Sequence, residues 1–125
     1  MKYMTDWKRN LQLENSNMKR IRGMIGFAMR AGALVIGTEL IAKALARGGV
    51  RLVVIASDAS DATKKKLTVK SKFYDVTAIE VGIQTDELGR LLGKTYAPAA
   101  VAVTDEGFAT EIKKAFFGTN DGDAV

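Results

Sequence analysis

The run Leu52-Val53-Val54-Ile55-Ala56 is apolar at every position and rich in β-branched residues. Any sheet that takes it must therefore be covered on both faces, because alternate side chains of a strand point to opposite sides. The flanking segments can supply those covers. Met18 to Arg30 carries Ile21, Met24, Ile25, Ala28 and Met29 at helical spacing, and Gly32 suits a left-handed cap at its end. Leu34-Val35-Ile36 reads as a short extended piece. Thr38 to Arg47 is predicted as a second helix, closed by Gly48-Gly49. Ser60 is the expected N-cap of a third helix running to about Phe73. A strand over Val76 to Val81 follows. Thr85 then caps a fourth helix, Asp86 to Leu92, whose first turn holds Asp86 and Glu87 as the macrodipole prefers, and Gly93 closes it. Ala99 to Val103 is a further strand and Glu106 to Phe117 a final helix. This alternation predicts an α/β fold, a three-layer α/β/α sandwich around a central sheet of about four strands. No internal repeat is present.

The 125 residues suit one domain, and 47% hydrophobic residues suffice for a core. Residues 1–17 are polar and unpatterned, with Trp7 the only large anchor. They read as a flexible basic arm, since Lys2, Lys8 and Arg9, with Lys19 and Arg20 just beyond, crowd that end. Residues 118–125 are turn-rich and acidic, and read as a disordered tail. The domain proper is expected over 18–117.

A formal charge of +5 favours polyanionic partners. The chain has no histidine and no cysteine, so imidazole catalysis, a serine–histidine triad and thiolate metal sites are excluded. No apolar run approaches the roughly 18–20 residues that span a bilayer. A cytoplasmic monomer without membrane contact is the expectation. No GxGxxG or GxxxxGK[ST] loop occurs, so no cofactor is expected. Nor is a metal, nor any catalytic residue.

The second helix carries the strongest signal. Gly37 precedes it, which leaves backbone N–H groups free at its amino end to meet phosphates. Lys43 and Arg47 follow one turn apart on a shared face. The loop Gly93-Lys94-Thr95-Tyr96-Ala97-Pro98 would join them if the sheet brings strand ends together, and Tyr96 would then offer a base a stacking surface. Other features read more plainly. Gly23-Met24-Ile25-Gly26 has the spacing of a GxxG clamp but lies in a helical pattern, where such glycines usually allow close packing. Asp58, after its strand, is expected to organise the turn and cap the next helix. The lysines Lys64-Lys65-Lys66, Lys70 and Lys72 read as a solvated face of the third helix, with Leu67, Val69 and Phe73 expected on its buried side.

Taken in order, several segments resemble the ribosomal L7Ae/L30e family of kink-turn RNA-binding proteins, and its bacterial YlxQ-like branch in particular. They are Gly26-Phe27-Ala28-Met29-Arg30-Ala31-Gly32, Gly37-Thr38 with Lys43-Ala44-Leu45 and Arg47, and Leu52 through Ser60. Leu88-Gly89 with Gly93-Lys94, and Val101 through Ala109, complete the series over about residues 19–117. The resemblance implies a three-layer fold that docks on RNA through the second helix and two neighbouring loops. It places Gly37, Thr38, Glu39, Leu40, Lys43, Arg47, Lys94, Thr95 and Tyr96 at the RNA. In the family an asparagine–glutamate pair, followed three residues later by lysine, reads sheared G·A pairs. Here Glu39 stands at the asparagine position and Leu40 at the glutamate position. Shifting the register puts Glu39 on the glutamate, with Lys43 then four residues on. An ionised glutamate only accepts hydrogen bonds, and leucine does neither. Loss of one base contact, about 1–3 kcal/mol, lowers the expected affinity for a standard kink-turn roughly ten- to hundredfold.

The reading is thus a non-catalytic protein of ribosomal or other structured RNA with altered base readout. The alternative is a protein–protein interaction module that has lost kink-turn binding, to which Leu40 would contribute an apolar contact. An enzyme built on Glu39, Asp58 and Lys43 would need burial to shift their pKa values, and a glutamate at a helix start is normally exposed.

Overall fold

A computed structural model describes residues 2–118, with side chains from Ser16 onward. Its elements run α1 (Lys2–Arg30), β1 (Leu34–Ile36), α2 (Thr38–Arg47), β2 (Leu52–Ala56), α3 (Asp61–Phe73), β3 (Ala78–Val81), α4 (Thr85–Leu91), β4 (Ala100–Val103) and α5 (Glu106–Phe117). The four strands form one mixed sheet in the order β1-β4-β2-β3. The strand that is apolar throughout, β2, takes an interior place, parallel to β3 and antiparallel to β4, and all five of its residues are buried.

Alternate residues of the inner strands feed separate cores. Leu52, Val54 and Ala56 of β2 join Val101 and Val103 of β4 on one face, beneath Ile21 and Ile25 of α1, Leu88 of α4 and Ile112 of α5. Val53 and Ile55 join Ala100 and Ala102 on the other face, beneath Ile41 and Leu45 of α2 and Leu67 of α3. Each fully buried Val, Leu or Ile contributes about 1.5–3 kcal/mol of transfer free energy. The expected three-layer sandwich around four strands is therefore the observed one, with α1, α4 and α5 on one side and α2 and α3 on the other. β3 lies at the sheet edge, where Glu80 is exposed and pairs with Lys64 of α3 at 2.7 Å.

Several boundaries differ from those read in the sequence. α1 is helical from Lys2, across the stretch read as an unpatterned arm and well before the expected start at Met18. No glycine or proline interrupts residues 2–22, and Lys, Arg, Leu, Gln and Glu are good helix formers, so a helix begun in the core has no local reason to stop at Met18. Trp7 and its neighbours lie outside the residues whose side chains are described, and residues 119–125 of the expected tail lie outside the described residues altogether. Arg20, counted with the basic arm, is paired with Glu111 of α5. β3 starts at Ala78 rather than Val76, because Asp75 in a left-handed conformation (φ 59°) turns the chain there and the N–H of Val76 donates back to Ser71 O. No helix among the described residues is long and apolar enough to cross a membrane.

Candidate nucleic-acid interface

Strand register decides which turns meet. β1 runs antiparallel to β4, so the end of β1 (Ile36) lies opposite Val101, near the start of β4. The N–H of Gly37 donates to Ala100 O at 3.2 Å, and the N–H of Ala56, ending β2, donates to Ala99 O at 2.9 Å. The turn before α2, the turn after β2 and the loop leading into β4 thus gather at one end of the sheet. That loop holds Lys94, Thr95 and Tyr96. Its end at Ala99–Ala100 meets the turn before α2, and the Tyr96 carbonyl lies against Gly89 of α4.

Gly37 initiates α2 with φ 99° and ψ 145°, a conformation that side-chain-bearing residues rarely adopt. No side chain caps this helix. The contrast with its neighbours is chemical. Ser60 Oγ accepts from Thr63 N at the start of α3, and Asp105 Oδ1 accepts from Phe108 N at the start of α5. At α4 the cap comes from a distant turn: Asp58 Oδ1 accepts from Thr85 N at 2.7 Å, and the Thr85 hydroxyl donates to Asp58 Oδ2 at 3.1 Å. Asp58 therefore caps α4 rather than the helix that follows it, and Thr85 receives a cap rather than providing one. The first-turn N–H groups of α2 keep their capacity for an outside acceptor, reinforced by the helix dipole.

Along α2, Ile41, Ala42 and Leu45 face the core, while Glu39, Leu40, Lys43 and Arg47 are outward. Leu40 is 55% exposed and, with Val35, Ala44, Arg47 and Gly48, lines a shallow hollow of about 330 Å³. Tyr96 is 56% exposed. Thr38 and Lys94 are half-buried and Thr95 is exposed. Arg47 sits in the last turn, nine residues on from Thr38, hence roughly 13 Å along the helix from its amino end. The cations of α2 thus form a line rather than a cluster.

Glu39 is the one group whose acidity is clearly perturbed among the described residues. Its carboxylate accepts from Lys66 Nζ of α3 at 2.8 Å. That hydrogen bond, then the Lys66 charge, holds its pKa below the usual glutamate value; slight burial opposes the shift, and Lys43 and Lys70 add to it. Glu39 is consequently an anion set among three lysines. Glu39 is thus held by Lys66, and both Asp58 oxygens are engaged by Thr85.

Sequence reasoning missed two determinants and misplaced others. Lys66 reaches the α2 site across the layer, which nothing in a lysine run foretells. A Cβ on Gly89, in α4, would lie 2.4 Å from Tyr96 O, so only glycine lets α4 and the Lys94–Tyr96 loop approach. The available signal is a glycine inside a helix, which costs about 1 kcal/mol and needs a reason. Gly23 and Gly26, by contrast, face open space, so they do not serve close packing. On α3 the buried side holds Leu67 and Ser71, whereas Val69 and Phe73, expected there, are outside.

This architecture has known counterparts. Residues 19–113 match the Ribosomal protein L7Ae/L30e/S12e/Gadd45 family. RNA-binding protein YlxQ of Enterococcus faecium is 35% identical over 107 residues, covering 85% of this chain and all of that protein. RNA-binding protein YlxQ of Bacillus subtilis is 39% identical over 89 residues, covering 71% of this chain and 87% of that one. A solved Bacillus halodurans protein of unknown function superposes with a TM-score of 0.74 at 35% identity, covering 78% of this chain and 97% of its own. The chain belongs to the ribosomal protein L7Ae/L30e/S12e/Gadd45 family.

Proposed function

We propose that this protein binds structured RNA, ribosomal or kink-turn-like, without catalysing a reaction on it. The observation that carries the reading is the uncapped amino end of α2, at the same end of the sheet as the close of the loop leading into β4. Backbone N–H groups after Gly37 and the Thr38 hydroxyl meet phosphate oxygens, and Lys43, Arg47 and Lys94 supply charge. Tyr96 stacks on an extruded base. Glu39 and Leu40 present an acceptor and an apolar contact where the family's kink-turn readers carry asparagine and glutamate, so base readout differs. The names of the YlxQ relatives support an RNA partner.

The test compares a kink-turn hairpin with a straight duplex across a salt series. Replacing Lys43 and Arg47 together with Ala should weaken hairpin binding and reduce the slope of log affinity against log salt by about 0.7–0.9 per lost cation. Unchanged affinity in the double variant would refute this placement of the site. The exposure of Leu40 over its hollow favours a second reading, an apolar docking point for a protein. Under that reading the chain would not enrich structured RNA over bulk tRNA at moderate salt.

A further inference from the structure

The outward face of α3 has a composition that the α2 site does not use. Lys65, Val69 and Phe73 stand at i, i+4 and i+8, and therefore in one row, with Lys66 and Lys70 beside them. Phe73 is 79% exposed and Val69 60%. The Tyr74 ring meets Phe73 edge-on, with centroids 4.9 Å apart and planes at 84°. That contact braces the Phe73 ring while leaving it presented to solvent. Together these six residues line an open hollow of about 580 Å³ whose lining includes no carboxylate.

The chemistry selects an occupant. Lys65 and Lys70 beside the hollow oppose a cationic partner and suit an anionic one, while Lys66 is paired with Glu39. The apolar surface is two side chains and a bracing tyrosine, narrower than the i, i+3, i+4, i+7 row by which an amphipathic helix docks, and much narrower than the apolar face of a membrane-surface helix. A braced aromatic ring flanked by lysines is instead the form of a stacking platform for unpaired bases, with phosphates neutralised alongside. We infer that the outward face of α3 is a second nucleic-acid surface, which takes unpaired RNA by stacking a base on Phe73 and holding adjacent phosphates with Lys65 and Lys70. The Lys66–Glu39 pair makes this face continuous with the amino end of α2. One RNA can therefore cross from one surface to the other. Each surface nonetheless uses its own residues, and each is tested separately.

The experiment uses the full chain and two labelled probes, a blunt kink-turn hairpin and an oligouridylate of about ten nucleotides, read by fluorescence anisotropy. Phe73→Ala should weaken oligouridylate binding about five- to tenfold, and Phe73→Trp should retain it. Replacing Lys65 and Lys70 with Ala should lower the oligouridylate salt slope by about 1.4 units. Hairpin binding should survive Phe73→Ala and fall in the Lys43/Arg47 double variant, which in turn should leave oligouridylate binding in place. Oligouridylate affinity that is the same in Phe73→Ala as in the parent, or absent even at low salt, overturns the inference. So does polyglutamate competing with equal strength and the same dependence on Phe73, which would assign the face to an acidic protein. A hairpin that fails to bind while the oligouridylate binds in a Phe73-dependent way supports this surface and rejects the proposed α2 site.

Discussion

Glu39 concentrates the residue-scale question, because its carboxylate is at once an acceptor offered to a base and an anion facing phosphates. Held by Lys66, it offsets a cation that phosphate could otherwise use. Glu39→Gln should therefore raise RNA affinity about two- to fivefold at low salt, the range of an exposed ion pair. The same logic gives a pH dependence. Its carboxyl titrates below the usual glutamate value, chiefly through the Lys66 hydrogen bond, so neutralising it takes a more acidic pH than an ordinary glutamate needs. There the parent should gain affinity and Glu39→Gln should not, as binding titrations down the pH scale would show. For folding the sign is opposite: the pair's contribution is present above the unfolded glutamate pKa and lost as pH falls through the depressed folded value.

At the scale of elements, Gly89 links α4 to the loop beyond it. Gly89→Ala should force the Tyr96 carbonyl away, destabilise the protein by about 1–3 kcal/mol in urea unfolding and shift the Tyr96 amide resonance. RNA affinity should fall with it, while Arg90→Ala, on the exposed side of the same helix, should leave both near the parent values. Such inter-element contacts are what the sequence conceals. Hydrophobic period was enough to find β2, α2 and α5, and to place Ser60 as a cap, because those features depend on neighbours within one or two turns. The alternation of strands and helices likewise announced three layers. Asp58 capping α4 and Lys66 meeting Glu39 span 27 residues each, and only the folded register brings them together. Val69 and Phe73 misled because apolar residues at i and i+4 normally mark a buried face. Here Leu67 with Ser71 marks it, and the apolar pair lies outside.

Across the whole molecule, charge differs from helix to helix. α2 and α3 carry seven cations (Lys43, Arg47, Lys64, Lys65, Lys66, Lys70, Lys72) against two carboxylates, Glu39 and Asp61. Behind the sheet, α5 balances Lys113 and Lys114 against Glu106 and Glu111, while α1 carries Lys19, Arg20, Arg22 and Arg30. A polyanion is therefore drawn to the α2 and α3 face rather than to α5. Lysine acetylation in the presence of a kink-turn RNA with an unpaired extension should protect Lys43, Lys65, Lys70 and Lys94 and leave Lys113 at its free rate, as peptide mass spectrometry would report. Equal protection on both sides would mean that RNA has no preferred orientation on the protein. The clasp of Asp58 on Thr85 bears on how such a complex assembles. It fastens the turn after β2 to the start of α4, so the surfaces around α2 and the Tyr96 loop share one rigid footing before any partner arrives. A host already set in its final shape leaves the conformational search to its guest, and the speed of association would then follow how readily the nucleic acid bends.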